Sequence, residues 1–185
     1  MSSGSVSADV TIQPSAVLRE IDQFGLHYIE QPLHWDDLTD HAVLAKELRT
    51  PLCLDESLTS PARVRAALDA GACTVVNVKV GRVGGLQSVR EIHDLCVARN
   101  VPMWCGGMLE TGIGRAHNIA LATLPNFTLP GDVSASQRYW KQDVIQPEVT
   151  VTPRGTIEVP AGPGNGFAVE SARIAALTVR EVALP

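Results

Sequence analysis

CTVVNVKVGRVGG, residues 73–85, is the stretch whose reading decides the fold of this 185-residue chain. Thr74, Val75, Val76 and Val78 form an apolar, β-branched run of strand length, set between Gly71 and the glycines Gly81, Gly84 and Gly85. A run that is apolar at nearly every position reads as a strand covered on both faces, as in a parallel sheet packed between helices. Lys79 ends it. A lysine there either snorkels to water along its alkyl stem or reaches a cavity or a carboxylate, where burial favours the neutral amine and makes it a base near neutral pH. Both readings are open from this stretch alone.

Upstream, the same unit repeats. PLCL at 51–54 is a short strand that delivers Asp55, Glu56 and Ser57, and LHYI at 26–29 delivers Glu30, Gln31 and Pro32. Between them Asp36 or Asp37 caps a helix to about Leu48, with Leu38, Ala42, Ala45 and Leu48 on one face. Ser60 as N-cap and Pro61 at the first helical position start another helix, which runs to Ala70 and is closed by Gly71. Before these, PSAVLREIDQF at 14–24 carries Val17, Leu18, Ile21 and Phe24 at helical spacing, with Gly25 as the stop. Downstream, Leu86, Val89, His93, Cys96 and Val97 mark a helix ending near Asn100, and VPMWC at 101–105 is a strand that delivers Gly106 and Gly107. A helix from about Gly112 to Leu124 follows, then a last short strand at Phe127–Leu129 that delivers Pro130, Gly131 and Asp132.

Five strand units alternating with helices define the α/β class, solved either by an open doubly wound sheet or by a closed β/α barrel. Charged residues end three consecutive strands, Glu30, Asp55 and Lys79, at spacings of 25 and 24 residues. In a barrel such strand ends converge on one mouth, so the spacing favours the barrel. From Gln146 the pattern changes. Val149, Val151, Ile157 and Val159 alternate with polar residues around Pro153, Arg154 and Gly155, which predicts a β-hairpin, and Ser171–Leu177 predicts a short helix. The expected organisation is a disordered lead-in or cloning scar at 1–13, a partial β/α barrel at 14–145, and a hairpin and tail at 146–185.

Composition limits the function classes. With 45% hydrophobic and 19% charged residues the chain supports one sizeable core. A net charge of −5 with scattered Lys and Arg argues against nucleic acid and anionic membrane as partners, and no long uncharged apolar stretch implies a membrane span. The polar opening MSSGSVSADV lacks the pattern of a signal peptide, which points to the cytoplasm. Cys53, Cys73, Cys96 and Cys105 form no CxxC pair and read as reduced core residues.

The three strand-end residues suggest a chemistry. Two carboxylates on adjacent strand tips suit a hard divalent cation, and a lysine one strand further could remove a proton α to a substrate carboxylate. The alternative is a structural ion network among the same side chains. The glycine clusters GRVGG and GGMLETGIG could instead cradle a phosphate at a helix N-terminus, though Glu110 would repel it. His34 and His41 are expected on a solvated helix or loop, His93 and His117 on helix surfaces, and none has metal-ligand spacing. Trp104 is expected in the core or lining a pocket, and Asp132 contacts substrate or caps a turn.

YIEQPL at 28–33, PLCLDES at 51–57, NVKVGRVGG at 77–85, WCGGMLETGIGRA at 104–116 and LPGDVSASQRYW at 129–140 together resemble the enolase superfamily. Within it they are similar to the muconate-lactonizing subgroup and its o-succinylbenzoate synthase and N-acylamino acid (N-succinylamino acid) racemase family. The likeness runs from about Phe24 to Gly166. It implies Glu30 and Asp55 as ligands of Mg²⁺ (or Mn²⁺), Lys79 as the acid/base on one face of the substrate, Asn77 and Glu56 beside the metal, and Gly106, Gly107 and Met108 as a substrate-binding loop. Members of this superfamily pair a Lys or His base with Mg²⁺. The implied activity is proton abstraction α to a carboxylate, giving either dehydration to o-succinylbenzoate in menaquinone biosynthesis or racemisation of N-succinylamino acids.

The resemblance also implies parts that these residues do not supply. Its N-terminal capping domain and first three barrel strands, with a second lysine in a KxK motif and a third aspartate ligand, have no counterpart here, so the strands correspond to the fourth to the eighth of a TIM-type barrel. The alternative expectation is a non-catalytic half-barrel. Either way, exposed sheet edges predict a homo-oligomer.

Overall fold

The computed structural model describes residues 14–183, so the expected lead-in at 1–13 lies outside the described residues. Helix α1 (Pro14–Ile21) continues as a 3-10 turn over Asp22–Phe24 and stops at Gly25, whose φ of 64° is the left-handed conformation that glycine adopts without strain. Four strands then follow, β1 (Ile29–Glu30), β2 (Leu52–Leu54), β3 (Val75–Val78) and β4 (Met103–Cys105), forming one parallel sheet in chain order. Helices α2 (Leu38–Glu47), α3 (Pro61–Ala70) and α4 (Leu86–Ala98) connect them, and α5 (Gly112–Leu121) follows β4. Phe127 joins the far edge of β4 through a single parallel bridge to Met103, so the expected fifth strand is present at its place and very short. The architecture is α/β, a partial β/α barrel.

Local chemistry sets these boundaries. The Asp37 carboxylate accepts the Asp40 N–H at the start of α2, and the Ser60 hydroxyl accepts the Arg63 N–H at the start of α3, with Pro61 at the first helical position. Gly71 ends α3 at φ 70°. Within α4 the buried stripe is Val89, Ile92 and Cys96, whereas Leu86 and Val97 are exposed at its ends.

The sheet pleat divides the residues by function. Leu54, Val76, Val78 and Met103 point toward the helices and enter a buried core with Val64, Ala67, Val89 and Ile92. The register pairs Cys53 with Val75 and Asn77 with Trp104, so the two-residue period places Glu30, Cys53, Asp55, Val75, Asn77, Lys79 and Trp104 on the opposite, inner face. A smaller apolar cluster of Cys53, Val75 and Trp104, with Tyr28 and Leu129 against it, fills the floor of that face. All four cysteines are free and buried. Burial pushes the thiols of Cys73, Cys96 and Cys105 up to about 12, and that of Cys53 up as well, which keeps them protonated.

The tail differs in detail from its expected form. A tight turn forms around Gly155, with Thr152 N–H donating to Thr156 O at 2.8 Å, but residues 149–159 build no regular strands. The antiparallel pair is instead β5 (Ile145–Gln146) with β6 (Ala168–Val169), followed by α6 (Ser171–Leu177). Val151 and Val159 are exposed, so alternation in this segment does not mark a buried face. Among the described residues no helix is long and apolar enough to cross a membrane.

Candidate active site

Strand ends meet at a cavity of about 590 Å³ lined by Glu30, Gln31, Asp55, Glu56, Lys79 and Asp132, with Leu33, His34, Trp35 and Trp104 on its walls. Each strand delivers its side chain on the inner face, so residues 25 and 24 positions apart in sequence lie together in space. Lys79 Nζ donates to Asp55 Oδ2 at 2.7 Å, with the Lys79 side chain 14% and the Asp55 side chain 4% exposed. The lysine therefore reaches the neighbouring carboxylate and does not snorkel to water. Asn77 Nδ2 donates to Glu30 Oε1 at 2.8 Å, and Asn77 Oδ1 is buried without a partner. Glu30 itself is exposed to the cavity.

Several participants carry no signal of their role in the sequence. Arg82 Nη1 pairs with Asp55 Oδ1, so both oxygens of Asp55 face a cation. Its position three residues past Lys79, in a glycine-rich turn, is the available hint. Gln31 holds the loop after β2: its Oε1 accepts Asp55 N–H at 3.0 Å and Ser57 N–H at 3.2 Å, and its Nε2 donates to Ser57 Oγ at 2.8 Å. It adopts φ 40°, a conformation rare for a residue with a side chain, and such strain persists where surrounding bonds over-determine it. His41 corrects the sequence expectation: it is fully buried, with Nδ1 bonded to the Asp37 carbonyl and Nε2 accepting from Leu33 N–H at 3.3 Å, so it steadies the loop beside the cavity.

The glycines have a steric role. A Cβ on Gly106 would strike Asn77 Oδ1 and lie 2.6 Å from Lys79 Cε, so only glycine lets β4 pass that close to the lysine. Gly107 is similarly pressed on the Asp132 carbonyl. Met108 is 53% exposed and does not line the cavity. The phosphate-cradle reading fails at α5, because Asp143 Oδ1 already takes the Gly112 N–H at 2.7 Å and closes that helix start to an anion. Trp104 is 7% exposed, donates to Cys53 Sγ at 3.3 Å, and stacks near Tyr28 at 6.1 Å between ring centroids. Burial, together with the nearby Cys53 and Glu30, pushes the Tyr28 hydroxyl up.

The donor chemistry fits a hard divalent cation in kind, with the carboxylate oxygens of Glu30 and Asp55 on adjacent strand tips at one cavity. Among the described residues no three His, Cys, Asp or Glu side chains are placed to hold one metal ion, although Glu30, Asp55, Glu56 and Asp132 all line the cavity. The model of the enolase C-terminal domain-like family matches residues 9–173. The chain belongs to that family. Relatives of this enolase-like chain include the o-succinylbenzoate synthase of Geobacillus stearothermophilus, 57% identical over 157 residues covering 85% of this chain and 42% of the relative. The N-succinylamino acid racemase of an Amycolatopsis species is 51% identical over 158 residues, covering 85% and 42%. A solved enolase superfamily member from Listeria innocua superposes with a TM-score of 0.83 at 41% identity, covering 88% of this chain and 43% of that one. The chain thus spans about two fifths of the length of these enolase superfamily relatives.

Proposed function

We propose that this chain carries one half of a site for metal-assisted abstraction of a proton α to a carboxylate, acting in dehydration to o-succinylbenzoate, racemisation of N-succinylamino acids, or both. The observation that supports it most is the 2.7 Å contact between Lys79 and Asp55 on the rim of a cavity that Glu30 also lines. Glu30 and Asp55 would hold Mg²⁺ (or Mn²⁺), with Asn77 orienting Glu30 and Glu56 beside them. A bound cation supplies stabilisation of the negative charge that grows on the substrate carboxylate as the α-proton leaves. Lys79 Nζ takes or returns that proton from one face of the substrate. Asp55 fixes the amine's position, and Gly106 leaves room for the Lys79 side chain to pass β4 on its way to the cavity. Leu33, Trp35 and Trp104 supply apolar surface on the walls of the cavity. Dehydration and racemisation share this abstraction and differ in whether a β-hydroxyl then leaves.

A second reading, a half-barrel without catalytic activity, is favoured by one observation: among the described residues no three His, Cys, Asp or Glu side chains are placed to hold one metal ion, and Lys79 is the cavity's single lysine. The two readings separate on product analysis. Purified chain with Mg²⁺ is incubated with the β-hydroxy acid that dehydrates to o-succinylbenzoate and, separately, with one enantiomer of an N-succinylamino acid. Formation of o-succinylbenzoate, or exchange of the α-proton of the N-succinylamino acid with solvent, supports the enzyme. A folded chain that does neither supports the second reading.

We further propose that the chain self-associates in the cytoplasm through its sheet edges. Phe24 and Leu26 stand exposed just before the edge strand β1, 70% and 42%. Sedimentation at micromolar concentration is expected to give a species heavier than 19.8 kDa, and a strictly monomeric profile would contradict the proposal.

A further inference from the structure

Loop 106–111 runs from the tip of β4 to the start of α5, and its own apolar side chains do not secure it. Gly106 and Gly107 have none, and Met108 and Leu109 are 53% and 71% exposed. What holds it is Glu110, half-buried and bonded at every oxygen: Oε2 accepts Met108 N–H at 2.7 Å, Oε1 accepts Asn118 Nδ2 at 3.1 Å, and the carbonyl accepts Arg115 Nη2 at 3.1 Å and Trp140 Nε1 at 3.0 Å. Arg115 is in turn the largest fully buried side chain among the described residues. Its other nitrogen, Nη1, donates to Asp143 Oδ2 at 3.1 Å and lies 3.4 Å from Ser136 Oγ. Asp143, 1% exposed, is itself closed by Gly112 N–H and Val144 N–H on Oδ1 and by Ser136 Oγ on Oδ2.

We propose that the buried Arg115–Asp143 pair is a positioning device for loop 106–110, transmitting the packing of the tail through Gly106 to Lys79 in the cavity. Arg115 is suited to it because the planar guanidinium presents several donors at fixed angles, so one fork spans two acceptors that belong to different parts of the chain. Asp143 sets the guanidinium, the guanidinium sets the Glu110 carbonyl, and the Glu110 carboxylate sets Met108. The loop so fixed keeps Gly106 against Lys79 and Asn77, where a displacement of about an ångström would bring the backbone into the lysine or open a gap beside it. Arg115 touches neither the cavity nor Lys79, so it acts through Glu110 and is a positioning residue. The consequence for turnover rests on the function proposed above; the consequence for the loop does not.

The test uses R115K in the full chain, because lysine keeps the charge beside Asp143 and loses the second arm of the fork. Amide hydrogen exchange is read at Met108, whose N–H is bonded to Glu110, and at Val76, whose N–H is bonded to Pro102 O in the sheet. The expected result is exchange at Met108 about tenfold faster, with Val76 unchanged. Given wild-type turnover, kcat falls severalfold while KM stays near its wild-type value, because the loop acts on the placement of Lys79. Unchanged exchange at Met108 overturns the proposal, and so does equal acceleration at Met108 and Val76, which would mark Arg115 as a residue of general stability. If R115K does not fold, W140F removes the other donor to the same carbonyl, and the same comparison is expected to show about threefold at Met108 only. Absence of wild-type turnover would count against the proposed function and leaves the exchange result to judge the loop.

Discussion

Asp55 and Asp143 are both buried carboxylates facing arginine, and they are held in opposite ways. Asp143 commits its oxygens to two backbone N–H groups, a serine hydroxyl and Arg115, all enclosed. Asp55 commits its oxygens to two side-chain cations, Lys79 and Arg82, at the edge of an open cavity. Backbone donors have no other place to go, whereas a lysine and an arginine at a cavity rim can turn to a ligand. The first arrangement locks a structure, and the second holds charge ready for exchange. The electrostatics agree for Asp143: burial pushes its carboxyl up, but the bonds from Ser136, Gly112 and Val144 and the charge of Arg115 outweigh this and hold it below the usual carboxylate range.

Breaking the locked site should have the largest effect. D143A leaves Arg115 buried without its counter-charge, and denaturant unfolding is expected to show a loss of about 3–5 kcal/mol. G112A places a Cβ against Ile145 Cγ1 and 2.9 Å from Asp143 Oδ2, and the overpacking is expected to cost about 1–3 kcal/mol by the same measurement. At the open site, K79M leaves Asp55 with Arg82 and a cavity, so stability should change by only about 1 kcal/mol while the proposed proton abstraction disappears. A loss from K79M as large as that from D143A would erase the distinction.

Acid sharpens the comparison further. A carboxyl whose folded value is depressed contributes stability that is fully present above the ordinary aspartate value near ~4 and is lost as pH falls through the folded value. Wild-type stability should therefore fall more steeply below about pH 4 than that of D143N, as read from urea midpoints across the pH series. The smallest effect is expected far from both sites. Arg19 and Glu47 pair at 2.6 Å on the surface with side chains 57% and 37% exposed, and R19A should shift stability by no more than about 0.5 kcal/mol.

Much of the barrel is legible in the sequence because its signals are local. Strand-length apolar runs, Ser60 and Asp37 as caps, and Gly25 and Gly71 as stops depend on residues a few positions apart, and the two-residue pleat then carries Glu30, Asp55 and Lys79 to one face. The anchor at Asp143 is not legible: it joins Arg115 across 28 residues, and no periodicity marks either partner. His41 reads as solvated because a histidine on a helix gives no sign of which carbonyl and amide will close over it. The tail pairing of Ile145 with Val169 is hidden for the same reason, since alternation at 149–159 makes a stronger local pattern than the distant pair. Arg82 sits in a turn and Gln31 just past the end of β1, where side-chain direction has no sequence period.

The most direct test is α-proton exchange in D₂O, followed by NMR, on each enantiomer of an N-succinylamino acid with the purified chain and Mg²⁺. Exchange of one enantiomer only, abolished in K79A, is the predicted result, because a single lysine works from a single face. No exchange of either enantiomer by a folded chain, or exchange that survives K79A, would contradict a half-site built on Lys79.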